Sequence, residues 1–520
     1  MTVPQTYGTT PGTSTCAASD VRPKRILVIG GGPTGLVALR NLQERGAFEE
    51  VQLVERRDDV GGVWYLDGPT LSNDGVKNRA ECTTTMARSN GNIDPSGTLD
   101  KLNTNGSTNF PPRWPSPAYP GLIGNVLPEF LSYSHHPFPS PPRAHQLFPT
   151  LAETHQYLKD FSAPLISSGA VRLNTEVCAV GEIPDRAGWC VRMRDWRAGK
   201  GGREFEERWD AVVVANGWYD TPVWPQTPGL QEIVSLGIAR HAKMYRGPKG
   251  FEGKRCLVVG NANSSNDMAA QLRSVGSLPV YQSIRRPAFP GFPYVPDEQI
   301  TMVAPVAEYV PTTSGQVKVR LIDGTVIPNI DAVFVGTGYK PRPHFVHVIN
   351  PDTGILQPLV EGVIGPPRIP SLHKHIMYAR NPTLGFVGAP MSFTPFTLAD
   401  VSSTWLALAW SGELKYPVTI EDRLEYERAR VQAIEDQRKE DKNITAFVSY
   451  MVLAASEQDY ARGLVDEVVR ARPSLSEVLP EWSNERTKKR EAMWPVKLEA
   501  LRWAREQGSY GNVSLDGALD

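Results

Sequence analysis

The chain has 520 residues, 40% of them apolar and 21% charged, with a formal net charge of -1. That length supports two or three domains with sizeable cores, the composition is that of an ordinary globular protein, and the near-zero charge gives no electrostatic reason to expect nucleic acid or an anionic membrane as a partner. The five cysteines, Cys16, Cys82, Cys178, Cys190 and Cys256, contain no C-x-x-C pair, which argues against a disulfide framework, a zinc site or a dithiol redox centre and points to a reducing compartment, the cytoplasm.

Residues 1–23 are rich in Thr, Ser, Pro and Gly and read as a flexible leader without the apolar core of a signal peptide. A strand over Arg25–Ile29, a helix over Thr34–Arg45 and a strand over Val51–Glu55 follow. Residues 71–117 are polar and Gly/Pro-rich and read as a long surface insertion. A helix is expected over Leu151–Ser162, strands over Ala170–Val177 and Trp189–Met193, and a buried strand ending in a turn over Asp210–Gly217. A second strand-turn-helix-strand unit runs from Arg255 to Ser283, and the apolar strand Asp331–Val335 is expected to return to the first domain. From Thr419 the chain turns helical and charged, with Leu424, Ala429, Val431 and Ile434 on one loosely amphipathic face. The apolar run 446–455 is too short for a membrane span and reads as a buried helix segment. The division expected is 24–225 together with 330–417, then 226–329 inserted between them, then a helical extension over 418–520.

Two nucleotide cradles carry the chemistry. After the first strand, Gly30-Gly31-Gly32-Pro33-Thr34-Gly35 satisfies G-x-G-x-x-G. Gly30 permits the tight turn, Gly32 lets a pyrophosphate approach the backbone, and Gly35 lets the helix lie close to the strand. Glu55, twenty positions after Gly35, is placed to accept from ribose hydroxyls and would repel a 2'-phosphate, so this cradle suits FAD or NAD. The second cradle, Gly260-Asn261-Ala262-Asn263-Ser264-Ser265-Asn266-Asp267, keeps the first glycine and changes the other two. The Ala262 methyl is expected where the pyrophosphate should pass, and Ser265 is expected to loosen helix packing. Ser283-Ile284-Arg285-Arg286, after the next strand, offers guanidinium groups to a 2'-phosphate. Two such units suggest that two dinucleotides meet and a hydride passes between them.

The run Gly61-Gly62-Val63-Trp64 after Glu55 resembles the FAD domain of the flavin-containing monooxygenases, where the pair matched by Val63 and Trp64 lies beside the flavin. The second cradle is similar to that family's G-x-G-N-S-G-x-D at Asn263, Ser264 and Asp267. The stretch 235–245 resembles its F-x-G-x-x-x-H-x-x-x-Y fingerprint at Gly237, His241 and Tyr245, with Ser235 replacing the aromatic. Tyr245 followed by Arg246 separates it from the related Baeyer–Villiger enzymes. His241 reads as a structural histidine rather than a base. Tyr119 to Pro128 resembles Y-x-x-L-x-T-N-x-P, with Asn125 matching the asparagine at the flavin's reactive edge and Gly124 replacing threonine. The resemblance covers about Arg25 to Pro417 and places Gly62, Gly124, Val177, Thr337 and Gly338 among the cofactor contacts.

The resemblance implies an α/β fold of two Rossmann-like dinucleotide-binding domains, an FAD domain interrupted by an NADPH domain, with a helical C-terminal extension. It implies FAD and NADPH as cofactors and a small molecule and O2 as partners, with no nucleic acid, no clear membrane segment and an oligomer possible. NADPH would reduce FAD, the reduced flavin would form a C4a-hydroperoxide with O2, and an amine nitrogen or sulfur would attack its distal oxygen, with Asn125 and retained NADP+ sheltering it. Two other readings stay open: a Baeyer–Villiger oxygenase acting on a ketone, and a degenerate flavin-binding protein without NADPH turnover, motivated by Ala262, Ser265, Ser235 and Gly124. A flavin disulfide reductase would need the missing C-x-x-C.

Overall fold

A computed structural model describes residues 22–66, 114–141, 143–286, 294–440 and 448–506. The expected leader, but for its last two residues, and positions 71–113 of the expected insertion lie outside the described residues.

Strand β1 (Arg25–Ile29), helix α1 (Pro33–Arg45) and strand β2 (Glu50–Val54) form the first parallel unit, with Ile29 opposite Val54. On the other side of β1 lies β3 (Ala211–Val214), with Ile29 opposite Val214, and Leu384–Phe386 pairs beyond it. Ile26–Ile29 and Ala211–Val214 are buried, as parallel strands covered on both faces must be, which is why they read as continuous apolar runs. The buried helix Pro395–Trp410 covers one face beside α1, and its Asp400 pairs with Arg40 at 3.1 Å and Arg45 at 3.2 Å.

The second parallel sheet is built on β4 (Arg255–Val259), α2 (Asn263–Leu272) and β5 (Ser277–Ser283). Its order places Ile300–Val303 beside β5, and β6 (Ala332–Val335) then Ala239–His241 on the other side of β4. Strand 332–335 therefore does not return to the first domain: Cys256 stands opposite Ala332 and Val259 opposite Val335. Four apolar residues suit the interior of either sheet, so periodicity alone could not choose between them. The first sheet is completed by Leu384–Phe386. Thr221–Pro222 pairs antiparallel with Tyr339–Lys340, so the outgoing and returning chains are tied together where they cross between domains.

The expected strand Ala170–Val177 is two strands. Val171–Arg172 pairs with β2, while Thr175–Glu182 opens a separate five-stranded sheet, with Asn174 at φ 53 between them. Asparagine tolerates that left-handed turn.

The C-terminal residues form helices Ile420–Glu440, Glu457–Ala471 and α3 (Asn484–Glu506). On the first, Leu424 and Ile434 are buried as expected, but Ala429 is exposed and Arg423 and Glu427 are buried in its place. Arg423 donates to the Ala379 carbonyl at 2.7 Å and Glu427 accepts from the Ser371 N–H at 2.8 Å, so polar partners replace the apolar face. Of the described part of 446–455, residues 450–453 are buried, but the stretch is not α-helical: Val452 bridges Met391, and a 3-10 turn begins at Ala454. Leu464, Val468 and Leu475 join the core of the first domain, so the extension is part of its packing. Among the described residues no helix is long and apolar enough to cross a membrane.

Candidate active site between two nucleotide cradles

The first cradle has the backbone its glycines suggest. Gly30 sits at φ +111, and a Cβ there would lie 2.7 Å from the Ala215 carbonyl oxygen. A Cβ at Gly35 would lie 1.8 Å from the Gly30 carbonyl oxygen. At Gly32 an added Cβ would only reach contact distance of the Gly62 Cα, 3.4 Å, so this position is packed against the next turn without a clash. Pro33 starts α1, with Thr34 and Gly35 in its first turn, and no side chain caps it. Helix Leu151–Ser167 shows the contrast, since Thr150 and Glu153 close a full capping box there. An uncapped N-terminus with glycines before it leaves N–H groups for an anion. Glu55 is buried, accepts from the Gly31 N–H at 2.6 Å and from the Arg57 N–H at 2.9 Å, and so stands at the mouth of the cradle. Val177 lies two residues beyond Thr175, whose N–H donates to the Glu55 carbonyl at 2.8 Å. These residues fit an adenine dinucleotide.

Gly61 at φ +117 and Gly62 at φ +57 fold the next turn back onto the cradle, and the Gly61 N–H donates to the Gly31 carbonyl at 2.9 Å. Arg57, which belongs to no motif, clamps this turn by donating to the Gly62 and Tyr65 carbonyls at 2.5 and 3.1 Å. Val63 and Trp64 are thereby held half-buried beside the cradle.

The second cradle repeats this geometry with altered residues. Gly260 has φ +118, and its added Cβ would lie 2.6 Å from the Gly336 carbonyl oxygen. Ala262 has φ -84 and ψ 175, close to Gly32 at -79 and -178, so alanine stands there without backbone strain and its methyl is exposed. Ser265 does not loosen the helix as expected. Its hydroxyl donates to the Gly336 carbonyl at 3.2 Å, and a Cβ on Gly336 would lie 2.1 Å from that hydroxyl oxygen. Gly336 occupies the place that Ala215 takes in the first cradle, so the small residue has moved from the helix to the neighbouring strand end. Asn263 and Ser264 begin α2, which no side chain caps. The Ser283 carbonyl accepts from the Gly260 N–H at 2.9 Å, and its hydroxyl donates to Ala304. Arg285 and Arg286 are exposed beside this turn and line a groove with Asn261, which donates to the Arg286 carbonyl at 2.7 Å.

Loop 116–127 joins the two cradles. The Ser116 hydroxyl donates to the Val63 carbonyl at 2.6 Å, and the Tyr119 phenol donates to Asp267 on α2 at 2.6 Å. Gly124 is buried, a Cβ there would lie 3.8 Å from the Trp64 ring, and the next residue, Asn125, is half-buried. The tyrosine's task as a bridge to the second cradle was not readable from its motif.

The fingerprint belongs to the second domain. Gly237 follows helix Leu230–Ser235 at φ +72, His241 ends the strand beside Val335, and the Tyr245 phenol donates to Gln271 at 2.9 Å in the core. His241 Nδ1 accepts from the Lys243 N–H at 3.2 Å. Burial pushes this imidazole down to about 4, with the Gly338 carbonyl opposing, so it is neutral at physiological pH and carries its proton on Nε2. Trp224 and Tyr339 pack edge-on against it, which fits a structural role. Thr337 donates to the Val223 carbonyl, and Gly338 at φ +83 accepts from the Val223 N–H at 2.9 Å, fastening the crossing. Asp220, 3.0 Å from Arg56 and 2.8 Å from Lys243, ties β2's end to the fingerprint; burial would raise its carboxyl, but the two cations hold it well below the usual range.

Residues 115–287 match the family described as flavin-binding monooxygenase-like, and residues 28–83 match the NAD(P)-binding Rossmann-like domain. The flavin-containing monooxygenase FMO GS-OX-like 9 of Arabidopsis thaliana is 29% identical over 412 residues, which are 78% of this chain and 79% of the relative. A thiol-specific monooxygenase of Saccharomyces cerevisiae is 26% identical over 76% of this chain and 79% of its own length. In fold, the S-allyl-L-cysteine S-oxygenase of Allium sativum superposes with a TM-score of 0.65 at 23% identity, covering 95% of this chain and 96% of that one. Both cradles, the fingerprint and the loop between them agree with these likenesses, which support the flavin-containing monooxygenase family and an FAD- and NADPH-dependent oxidoreductase.

Proposed function

We propose that this monooxygenase transfers one oxygen atom of O2 to a sulfur or amine nitrogen of a small molecule, in the cytoplasm, with FAD in the first cradle and NADPH in the second. The observation that carries the reading is loop 116–127, which touches the Val63–Trp64 turn through Ser116 and α2 through Tyr119. Two cradles bridged by one short loop support occupants that meet, the arrangement that hydride transfer needs. The yeast relative, named for thiols, supports sulfur as the acceptor atom. Bound FAD would supply hydride acceptance and O2 activation.

The chain's own residues hold and shelter this chemistry. Gly30 to Gly35 and Glu55 hold the first dinucleotide by backbone N–H groups, the α1 terminus and a carboxylate aimed at ribose hydroxyls. Asn263, Ser264 and the α2 terminus take the second pyrophosphate, and Arg285 and Arg286 select a 2'-phosphate. Val63 and Trp64 exclude water from the reacting edge, while Asn125 offers a neutral amide to the oxygen being transferred. No residue needs to act as a strong base toward the substrate, which agrees with a neutral, packed His241.

Product analysis tests the reading. Purified holoenzyme with NADPH under air should convert thioethers or amines to their S- or N-oxides, with oxygen taken from labelled O2. Lactone or ester formation from ketones, with thioethers and amines untouched, would overturn it in favour of a Baeyer–Villiger activity.

A further inference from the structure

We propose that Lys497, on α3 of the C-terminal extension, is a positioning residue of this active site: its ammonium fixes the Gly124–Asn125 peptide and balances the charge of Asp267 on the second cradle. The role given to Asn125 rests on the oxygenation reading above; the geometry of Lys497 does not.

Lys497 is 2% exposed, and its Nζ donates to the Gly124 carbonyl at 2.8 Å and lies 4.7 Å over the Phe148 ring. That carbonyl belongs to the same planar peptide unit as the Asn125 N–H, so fixing one sets the direction of the other. On the opposite side of Gly124, its own N–H donates to the Pro149 carbonyl at 2.8 Å. Gly124 is thus held from both sides without a side chain. A Cβ there would lie 3.1 Å from the Pro149 oxygen, so the missing threonine and the incoming lysine belong to one packing solution.

Helix α3 reaches both domains. Met493 accepts from the Leu127 N–H at 3.3 Å on the first, and Arg505 pairs at 3.0 Å with Asp297 on the second. Between these anchors Lys497 meets the field of Asp267, the α2 carboxylate that accepts from Tyr119. An ammonium buried with one hydrogen bond to protein and a ring face is unfavourable unless a nearby negative charge offsets it. Burial lowers the Lys497 amine to about 8, with Asp267 opposing. Burial also raises Asp267, with Tyr119 and Lys497 opposing. Among the described residues, the charged group that acts on Lys497 is Asp267 on α2, which the Tyr119 phenol in turn binds. Neutralising Lys497 leaves an uncompensated carboxylate in the helix that receives an anionic cofactor, and frees the Gly124 carbonyl.

Lys497→Met and Lys497→Arg holoenzymes test this through NADP+ affinity of the oxidised protein, a binding measurement that needs no turnover. Wild type should weaken by about tenfold as pH rises through 8, K497M should be weak and flat with pH, and K497R tight and flat. The fraction of NADPH electrons lost to hydrogen peroxide should rise in K497M at neutral pH and in wild type above pH 8, with K497R staying coupled. K497M with wild-type affinity, leakage and pH step would overturn the assignment. Should K497M not fold, K497R decides: survival of the step overturns it, disappearance upholds it. Failure of wild type to oxygenate any nucleophile would instead sink the functional reading while leaving the binding test standing.

Discussion

Replacing Gly336 by alanine tests whether the two cradles exchanged their small residues. In the first cradle the helix residue is Gly35 and the strand-end residue is Ala215, whose Cβ would lie 3.4 Å from a Cβ added to Gly35. In the second the helix residue is Ser265 and the strand-end residue is Gly336. A Cβ added to Gly336 would stand 2.1 Å from the Ser265 hydroxyl oxygen, 3.2 Å from its Cβ and 3.2 Å from the Val259 carbonyl oxygen. Overpacking of a close-packed site costs about 1–3 kcal/mol, and displacing the Ser265 hydroxyl from the Gly336 carbonyl adds about 1 kcal/mol. Gly336→Ala should therefore destabilise the second domain by about 2–4 kcal/mol, lowering its melting temperature by about 5–15 °C. Ser265→Gly alone should cost about 1–2 kcal/mol through the lost hydrogen bond and a glycine inside a helix. Combined, the two recreate the first cradle's pairing, and the double variant should melt above Gly336→Ala, with a coupling of about 1–3 kcal/mol. Thermal melting of the four proteins of the cycle, each with FAD and NADP+ bound, supplies the comparison. Strictly additive losses, or a Gly336→Ala protein as stable as wild type, would refute the exchange.

Three further outcomes follow from the same geometry. Ala262→Gly removes a methyl that no backbone strain demands, so NADP+ should bind about two- to tenfold more tightly, roughly 0.4–1.4 kcal/mol, by titration of the oxidised holoenzyme; unchanged affinity would show that the methyl stands clear of the pyrophosphate. Arg285→Ala should weaken NADPH about tenfold in KM while leaving NADH unchanged, and equal losses for both would remove Arg285 from 2'-phosphate recognition. The pH dependence of His241 has a definite sign. Its folded value of about 4 lies below the ordinary 6.5, so the unfolded chain binds the extra proton first and stability falls as pH drops from 6.5 toward 4, by up to about 3 kcal/mol. His241→Asn, which keeps an acceptor for the Lys243 N–H, should flatten the fall in melting temperature over that window; an identical slope would show that His241 is not a source of it.

The sequence made both cradles legible because backbone constraint is written in residue type. Gly30 and Gly260 sit at positive φ, a Cβ added to Gly35 would stand 1.8 Å from a carbonyl oxygen, and no other residue meets those demands. Glu55 and the pair Arg285–Arg286 were readable because each follows a strand at a fixed distance. Packing across sequence distance was not readable. Strand 332–335 carries no mark of which sheet it joins, and Ser265 reads as a defect unless Gly336 is known to lie opposite it. The extension looked separate because its charges dominate the pattern, whereas Arg423, Glu427 and Lys497 are buried with partners far away in the chain. Such pairs leave no period and no motif.

The most direct measurement of the central claim, that NADPH in the later cradle delivers its hydride to FAD in the earlier one, is rapid anaerobic mixing of the purified holoenzyme with NADPH while the flavin's visible absorbance is followed. The yellow colour should bleach at a rate that saturates with NADPH and slows in Arg285→Ala, and admitting O2 should restore it. A protein that holds both cofactors yet stays yellow would contradict the account.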